Sequence, residues 1–229
     1  MGIVTHSPAT EQAMPQGISP DLSLALAEAL ATMLCHDLAG AVGTLQGALE
    51  LAAEDPAMLD EALPVAQEAA TALSRRLRFM RAAWGAGGRR INVAELHELA
   101  GCLPTGRRVR VQLEALSPDR SFSPPATQLL LNLLKLGVES LAGEGVLSMG
   151  EAQGGEVMIT LSGPRAAWPS GFAAFLTDSS AALRAAITQG PRQLQAPLAA
   201  LIAHAGQLRV RLLLGAQTEA APPLLVDLG

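Results

Sequence analysis

The amino-acid sequence predicts an α+β protein, in which an N-terminal hairpin of two long helices precedes a domain of shorter helices and strands. Three observations support this fold class. Residues 20–84 carry apolar side chains at alternating three- and four-residue intervals, which is typical of packed helices. After a glycine-rich junction, helical segments are interspersed with short alternating apolar runs, which indicate strands. Hydrophobic residues make up 49% of the 229 residues, which is enough for a packed core.

Two helix-start signals define the hairpin. Ser19-Pro20-Asp21 and Asp55-Pro56 each place a capping side chain before a proline at the first helical position. The first helix should therefore end just before the second signal, and the second helix should end near Trp84, because Gly85 follows it. Since only a short turn joins the two helices, they must form an antiparallel hairpin.

Each helix of the hairpin carries an apolar seam. In the first helix the seam consists of Leu24, Ala27, Ala31, Leu34, Leu38, Ala41, Leu45, Ala48 and Ala52. In the second helix it consists of Leu59, Leu63, Ala66, Ala70, Leu73, Leu77, Met80 and Trp84. Further apolar side chains make the stripe of the first helix too wide for a single neighbouring helix. We therefore expect two hairpins to pair as a homodimeric four-helix bundle. The alternative is that the C-terminal half of the same chain covers the stripe.

The pattern of the second half of the chain predicts an α+β layer with helices on one face of a sheet. Helices are expected at 92–103, 123–142, 180–188 and 191–205, and strands at 107–114, 145–150, 156–162, 207–214 and 223–228. The chain then divides into a loose tail at 1–18, the helical hairpin at 19–86 and the second domain at 90–229.

Composition excludes several classes of function. A net charge of −5 and 3% aromatic residues argue against binding to nucleic acid. No run of about 18 apolar residues is free of charge, glycine or proline, so we expect no membrane-spanning segment. The N-terminal residues lack a basic region followed by an apolar core, which predicts a cytoplasmic protein. Two cysteines provide neither a disulfide framework nor a metal cluster.

The candidate reactive residue is His36. At about 100° per residue it lies roughly 200° from Leu38, so it points away from the seam of its own helix. Asp37 follows directly, and a neighbouring carboxylate can accept a proton from imidazole and raise its nucleophilicity. A metal site would need a second ligand three or four residues on, where Ala39 and Gly40 stand instead.

Small residues surround this histidine on its helix face. Gly40, Gly43 and Gly47 lie within about 40° of His36, as does Thr32. Glycine inside a helix costs up to about 1 kcal/mol relative to alanine, so something should come close to this face. The face is either a docking track for a partner or a site of tight packing between helices.

Residues 34–43, with Gly47, Leu49, Glu50 and Leu51, resemble the phosphoacceptor helix of the ChpT-type histidine phosphotransferases. Residues 78–85 resemble the end of the second helix in that family. The resemblance implies a dimeric histidine-kinase-like bundle followed by an α/β sandwich that is a degenerate kinase-type ATPase domain. It also implies that His36 relays phosphoryl groups between receiver-domain aspartates, with a hybrid histidine kinase as a further partner. Ala41 replaces the proline that is more usual there, which affects helix bending rather than chemistry.

The second domain departs from an active kinase in three places. Residues 128–138 are similar to the nucleotide-binding helix of histidine kinases, in which a second asparagine four residues after the first coordinates Mg²⁺. Here Leu136 follows Asn132 at that interval, and an apolar side chain cannot ligate a hard cation. Residues 161–165 lack the adenine-site aspartate, and residues 193–198 lack the glycines of a phosphate loop. We therefore expect no bound ATP or other cofactor, although the helical run would be buried as core in either case.

The sequence therefore predicts a homodimeric histidine phosphotransferase, with Mg²⁺ supplied by the receiver partner. Counting back from the hairpin turn places Arg75, Arg76 and Arg78 within about one helical turn of a phosphoryl group on His36. One of these cations would help neutralise its charge, or else all three form a solvated face. The alternative functions are a non-catalytic dimeric scaffold that binds receivers or kinases, and an active histidine kinase.

Overall fold

The computed structural model describes residues 20–85, 88–213 and 221–229. The predicted tail at 1–18 and the predicted helix cap at Ser19 lie outside the described residues. The elements that follow confirm the α+β fold class, with long helices first and a sheet with helices after them.

The hairpin forms as predicted. Helix α1 spans Pro20–Glu54 and helix α2 spans Leu59–Trp84, with one 3-10 turn, Pro56–Met58, between them. The carboxylate of Asp55 begins this turn by accepting a hydrogen bond of 2.9 Å from the backbone N–H of Ala57. An acceptor at this position satisfies a backbone donor that the start of a helix would otherwise leave free.

The two helices pack through small side chains. Ala62, Ala66 and Ala69 of α2 are buried, as are Ala41 and Ala48 of α1. Alanine has no side-chain atoms beyond Cβ, so two helices that meet through alanines approach each other closely. The contact between α1 and α2 therefore depends on this alanine stripe.

The larger side chains of the predicted α2 seam lie outside this contact. Leu59, Leu63 and Leu77 are between 43% and 49% exposed, and Val42 and Leu49 of α1 are also exposed. At about 100° per residue, the leucines of α2 lie roughly 70° around the helix from its buried alanines. The predicted seam of α2 is thus displaced within one chain, and its leucines form a separate, adjacent stripe.

The described residues of the second domain form a five-stranded mixed sheet, a two-stranded sheet and five α-helices. In chain order its elements are β1 Ile91–Asn92, α3 Val93–Ala100, β2 Val109–Ala115, β3 Ser121–Phe122, α4 Pro124–Ser140, β4 Gly145–Glu151, β5 Val157–Ser162, α5 Phe172–Thr177, α6 Ser179–Thr188, α7 Gln195–Ala205, β6 Arg209–Leu212 and β7 Leu224–Asp227. The main sheet has the order β2-β4-β5-β7-β6. Strands β2 and β4 are parallel, and the other neighbours are antiparallel.

One helix packs closely against this sheet. A Cβ atom added at Gly137 of α4 would overlap Cδ1 of Leu147 in β4, so a larger residue would force Leu147 to move. The fully buried side chains of β5, Val157 and Ile159, continue the same core. Strands β1 and β3 and helix α5 were not expected from sequence, because elements of two to six residues are too short to show periodicity.

The second domain covers part of the hairpin. Met33 of α1 is buried in a cluster with Ala186, Leu194 and Leu198 of the second domain. Phe79 near the end of α2 belongs to the main core of that domain. Thus the C-terminal half of the chain covers one face of α1 around Met33, while Leu24, Val42 and Leu49 remain exposed.

A buried asparagine joins the hairpin to the second domain. The side-chain oxygen of Asn132 in α4 accepts hydrogen bonds from Nε1 of Trp84 at 2.8 Å and from Nε2 of Gln195 at 3.0 Å. Its amide nitrogen donates to the backbone oxygen of Gln128 at 2.8 Å. One fully buried side chain therefore holds the end of α2 against α4 and α7.

By length and composition alone, residues 21–54 of α1 would be long and apolar enough to cross a bilayer. The sequence-based expectation was that no segment would meet this criterion. Residues 21–54 meet it because the glycines within this run lower its mean hydropathy only slightly. His36 and Asp37 lie near the middle of this helix, where a bilayer would make polar side chains most costly. A helix of a protein bundle meets the same criterion of length and composition.

The hydrogen bonds of the Asn132 side chain lead to a prediction about stability. Asn132→Ala should lower the free energy of unfolding by about 1–3 kcal/mol, because it removes the acceptor of Trp84 and leaves Gln195 with only the backbone oxygen of residue 132. Urea unfolding followed by circular dichroism measures this change. Gln112→Ala removes the exposed hydrogen bond with Ser148 and is the control, with an expected change below about 0.5 kcal/mol. Equal effects of the two substitutions would contradict a stabilising role for the network.

Candidate functional site

His36 lies midway along α1 with its side chain 52% exposed. Its Nδ1 atom is 3.7 Å from Oδ1 of Asp37, which is longer than a hydrogen bond but close enough for electrostatic interaction. Nε2 is therefore the imidazole nitrogen that does not face Asp37. The imidazole is thus half-exposed and lies outside the buried contact between α1 and α2.

Asp37 is held by two cations from different elements. Its Oδ2 atom lies 3.2 Å from Nζ of Lys135 in α4. Its backbone oxygen accepts a hydrogen bond of 2.6 Å from Nη1 of Arg76 in α2. Lys135 also contacts Glu139, one turn further along α4, with 2.5 Å between Nζ and Oε1. A charged cluster from both parts of the chain thus lies directly beside His36.

A groove of about 270 Å³ runs beside His36 between the hairpin and the second domain. Phe79 and Met80 of α2 contribute apolar walls, and Pro104 contributes from the loop after α3. Arg76 and Lys135 line the same groove. An anionic group on His36 would therefore have two cations of the same chain in its neighbourhood.

The glycines near His36 face open space. A Cβ atom added at Gly40, Gly43 or Gly47 would meet nothing within 4 Å. Within the described chain these glycines therefore make no close contact with another helix. Thr32 is exposed on the same face, and its hydroxyl donates to the backbone oxygen of Glu28 at 2.8 Å.

The three predicted arginines differ in their surroundings. Arg76 lies level with His36, as the count from the turn predicts. Arg75 is exposed, in agreement with a solvated position. Arg78 instead pairs with Glu98 of α3 at 2.5 Å and lines a different pocket, so its predicted place beside His36 is not supported. The hydrogen bond that Arg78 donates to the carboxylate of Glu98 raises the pKa of Arg78 above its usual value.

The residues that are similar to a kinase nucleotide site lie inside the core. Asn132 is fully buried, with its side-chain atoms bonded within the protein, and Leu136 is 1% exposed. Leu194 and Leu198, in the position of the phosphate loop, pack against Met33 of α1. The described residues contain no group of three or more His, Cys, Asp or Glu side chains that could hold a metal ion.

A family model for the histidine phosphotransferase C-terminal domain matches residues 93–217, which is more than half of the chain. The chain belongs to the histidine phosphotransferase family. A comparison with curated protein sequences gives no significant match.

Solved structures similar to this histidine phosphotransferase include a bacterial phosphotransferase solved at 1.7 Å. The two chains share 20% identity at a TM-score of 0.66, over 94% of this chain and 100% of the other. The histidine kinase domain of a blue-light activated histidine kinase from Erythrobacter litoralis is similar at 12% identity and a TM-score of 0.38, over 83% of this chain and 95% of the other. The first similarity supports the same overall fold.

Lys135 and Glu139 are the residues of this site that sequence analysis missed. Lys135 is the only lysine in the chain, since the other fifteen of the sixteen basic residues are arginines. It also interrupts the apolar run at 133–138. An isolated lysine in an apolar segment could have marked Lys135 as a candidate site residue. Its partner Asp37 lies 98 positions earlier in the sequence, so only the fold brings the two together.

The open space beside the glycines leads to a second prediction about stability. Gly43→Ala should raise the free energy of unfolding by up to about 1 kcal/mol, because alanine is the better helix former and its Cβ meets no neighbour. Gly43→Leu should fold and should also be no less stable than the wild type. Melting temperatures measure both effects. A clear loss of stability in either variant would show that a close contact forms at Gly43.

Proposed function

We propose that this histidine phosphotransferase relays a phosphoryl group between receiver-domain aspartates, with His36 as the phosphoacceptor. The observation that carries the proposal is the half-exposed imidazole of His36 on a glycine-lined helix face with open space above it. An attacking histidine must be reachable by a partner's phosphoryl group, and a face without side chains allows a second domain to approach closely.

The proposed transfer needs only an unprotonated nitrogen on the imidazole. The Nε2 lone pair of His36 attacks the phosphorus of an aspartyl phosphate in the donor receiver. The P–N bond forms as the P–O bond breaks, and the electron pair of that bond returns to the receiver's carboxylate. Transfer to an aspartate of the next receiver reverses these steps. Mg²⁺ and the acidic pocket around the aspartate belong to the receiver in this proposal.

Two parts of this chain would assist the transfer. Asp37 faces Nδ1, so it favours the tautomer in which Nδ1 carries the proton and Nε2 is free. Arg76 lies beside Asp37, close to where negative charge arrives on His36. The glycine face, from Gly40 to Gly47, is the proposed docking surface for the receiver.

The proposed phosphoryl donor is a receiver and not ATP. An active histidine kinase would need nucleotide-binding side chains that face solvent, whereas Asn132 and Leu136 are buried. A hybrid histidine kinase is therefore proposed as the upstream source of phosphoryl groups. A non-catalytic scaffold remains the alternative function, and it differs by never carrying phosphate on His36.

We also propose that the protein is a homodimer through its hairpin. Among the described residues, nine large hydrophobic side chains are more than 40% exposed, and eight lie on the hairpin: Leu24, Val42, Leu49, Leu51, Leu59, Leu63, Val65 and Leu77. Because α1 and α2 are antiparallel, the stripe with Val42 and Leu49 and the stripe with Leu63 and Leu77 fall on the same side of the hairpin. A second hairpin would cover this combined stripe in a four-helix bundle.

A cytoplasmic location is part of the same proposal. Cys35 and Cys102 are both free, which agrees with a reducing compartment. Receiver domains and their kinases would then meet His36 in the same compartment, with no need for nucleic acid or a lipid surface as a partner.

The phosphoacceptor assignment is tested by labelling from a panel of receiver domains phosphorylated with ³²P. Wild-type protein should become labelled by at least one receiver, and His36→Ala should not, because the attacking nitrogen is removed. His97→Ala is the control and should be labelled normally, since His97 lies on α3 away from the glycine face. Circular dichroism should show that all variants fold.

Gly43→Leu extends the same experiment to the docking surface. It keeps His36 but places a side chain about two turns away on the proposed docking surface, so labelling from a receiver should become much slower. Labelling of His36→Ala at the wild-type level would overturn the assignment. Failure of every receiver to label the wild-type protein would favour the scaffold.

The dimer is tested by light scattering at micromolar concentration. The wild-type protein should have twice the chain mass of 23.6 kDa. Leu63→Glu should give monomers, because it would bury an unpaired charge between the two hairpins. Val65→Glu is a matched control: Val65 is 45% exposed against 48% for Leu63, but it faces the opposite side of α2. A wild-type mass near that of one chain, or dissociation by both substitutions, would contradict the proposed interface.

A further inference from the structure

We propose that Lys135 of the second domain positions Asp37 for phosphoryl transfer at His36, so that both parts of the chain build one reaction centre. This inference rests on the proposed role of His36 as phosphoacceptor. It gives the second domain a function in the reaction that is separate from nucleotide binding and from partner docking.

The carboxylate of Asp37 bridges two groups through its two oxygens. Oδ1 faces Nδ1 of His36 at 3.7 Å, and Oδ2 faces Nζ of Lys135 at 3.2 Å. A carboxylate held at one oxygen by a cation keeps its other oxygen turned in a defined direction. Here that direction is toward the imidazole, so the ion pair with Lys135 determines which way Asp37 points.

Lys135 is itself fixed in place. Its side chain is only 12% exposed, and Glu139 on the next turn of α4 holds the same ammonium group. The backbone of Asp37 is held independently by Arg76. Asp37 is thus restrained at its main chain and at one carboxylate oxygen, and only the oxygen that faces His36 has no cation against it.

This arrangement bears on the chemistry in two ways. First, when the Nδ1–H group of His36 donates to Oδ1, the lone pair for attack is at Nε2, and the positive charge that develops on the ring during P–N bond formation is balanced by Asp37. Second, a phosphoryl group adds about −1.5 to −2 charge near Asp37, and Lys135 offsets the repulsion between the two anions. No proton or electron has to leave the site for the bond change, since Nδ1 keeps its proton.

The residue type fits this role. An ammonium group is a compact point charge on a flexible stem, so it contacts one oxygen of Asp37 without occupying the other. A guanidinium fork tends to bind both oxygens of a carboxylate and would compete with the imidazole. The single lysine of a chain with fifteen arginines stands at this position.

The test uses full-length protein and phosphoramidate, a small phosphoryl donor that needs no receiver. The rate of phosphorylation of His36 is measured against pH for the wild type, Lys135→Met, Lys135→Arg, Asp37→Asn and the double variant Lys135→Met with Asp37→Asn. Lys135→Met keeps the length of the apolar stem and should lower the rate about tenfold through misplacement of Asp37. Lys135→Arg should recover only a small part of the rate, because it keeps the charge but its guanidinium fork competes with the imidazole for Asp37.

The double variant separates positioning from a general effect of charge. If Lys135 acts through Asp37, Lys135→Met should cause no further loss once Asp37→Asn is present. The pH profile of Lys135→Met should also resemble that of Asp37→Asn. Arg108→Ala is the control: it breaks the exposed pair with Glu144 in the same domain and should leave the rate unchanged. Melting temperatures check folding, and Lys135→Gln takes the place of Lys135→Met if that variant does not fold.

The outcomes are distinguishable. A wild-type rate in the folded Lys135→Met or Lys135→Gln variant would overturn the positioning role, and so would additive losses in the double variant. Failure of the wild-type protein to become phosphorylated on His36 would instead overturn the proposed function itself.

Discussion

The hydrogen bonds around Asn132 hold the hairpin and the second domain together. Its side-chain oxygen accepts from Trp84 at the end of α2 and from Gln195 at the start of α7, deep in the core. Lys135 lies three residues further along the same helix, and its distance to Asp37 depends on how that helix sits against the hairpin. An asparagine that is similar to a nucleotide ligand in kinases therefore has a structural use here, and it sets the geometry beside His36.

The faces of the hairpin have separate uses. Alanines join α1 to α2, Met33 and Phe79 join the hairpin to the second domain, and the exposed stripe with Leu63 is free for another hairpin. His36 lies on the remaining face, where the glycines leave open space. Because these surfaces do not overlap, dimerisation as proposed would leave His36 accessible. The high apolar content of α1 follows from serving several contacts at once.

Much of the fold was predictable because its signals are local. Helix starts at prolines, the turn at Asp55 and the position of His36 opposite the seam all follow from short-range sequence patterns. Periodicity did not show which of two adjacent apolar stripes on α2 is used within one chain, since both repeat at the same interval. The pairing of β2 with β4 and the contact between Lys135 and Asp37 join distant parts of the sequence, so no local pattern could reveal them. Arg78 was misplaced because its partner, Glu98, lies on another helix.

The most direct test of the site is to locate the phosphoryl group after treatment with phosphoramidate. Two-dimensional ¹H–¹⁵N and ³¹P NMR of labelled protein distinguishes phosphate at Nε2 of a histidine from phosphate at Nδ1, and it resolves the four histidines of the chain. The geometry around Asp37 predicts one phosphohistidine, at Nε2 of His36. Phosphate at Nδ1 of His36, or equal phosphorylation of His97 or His204, would contradict it.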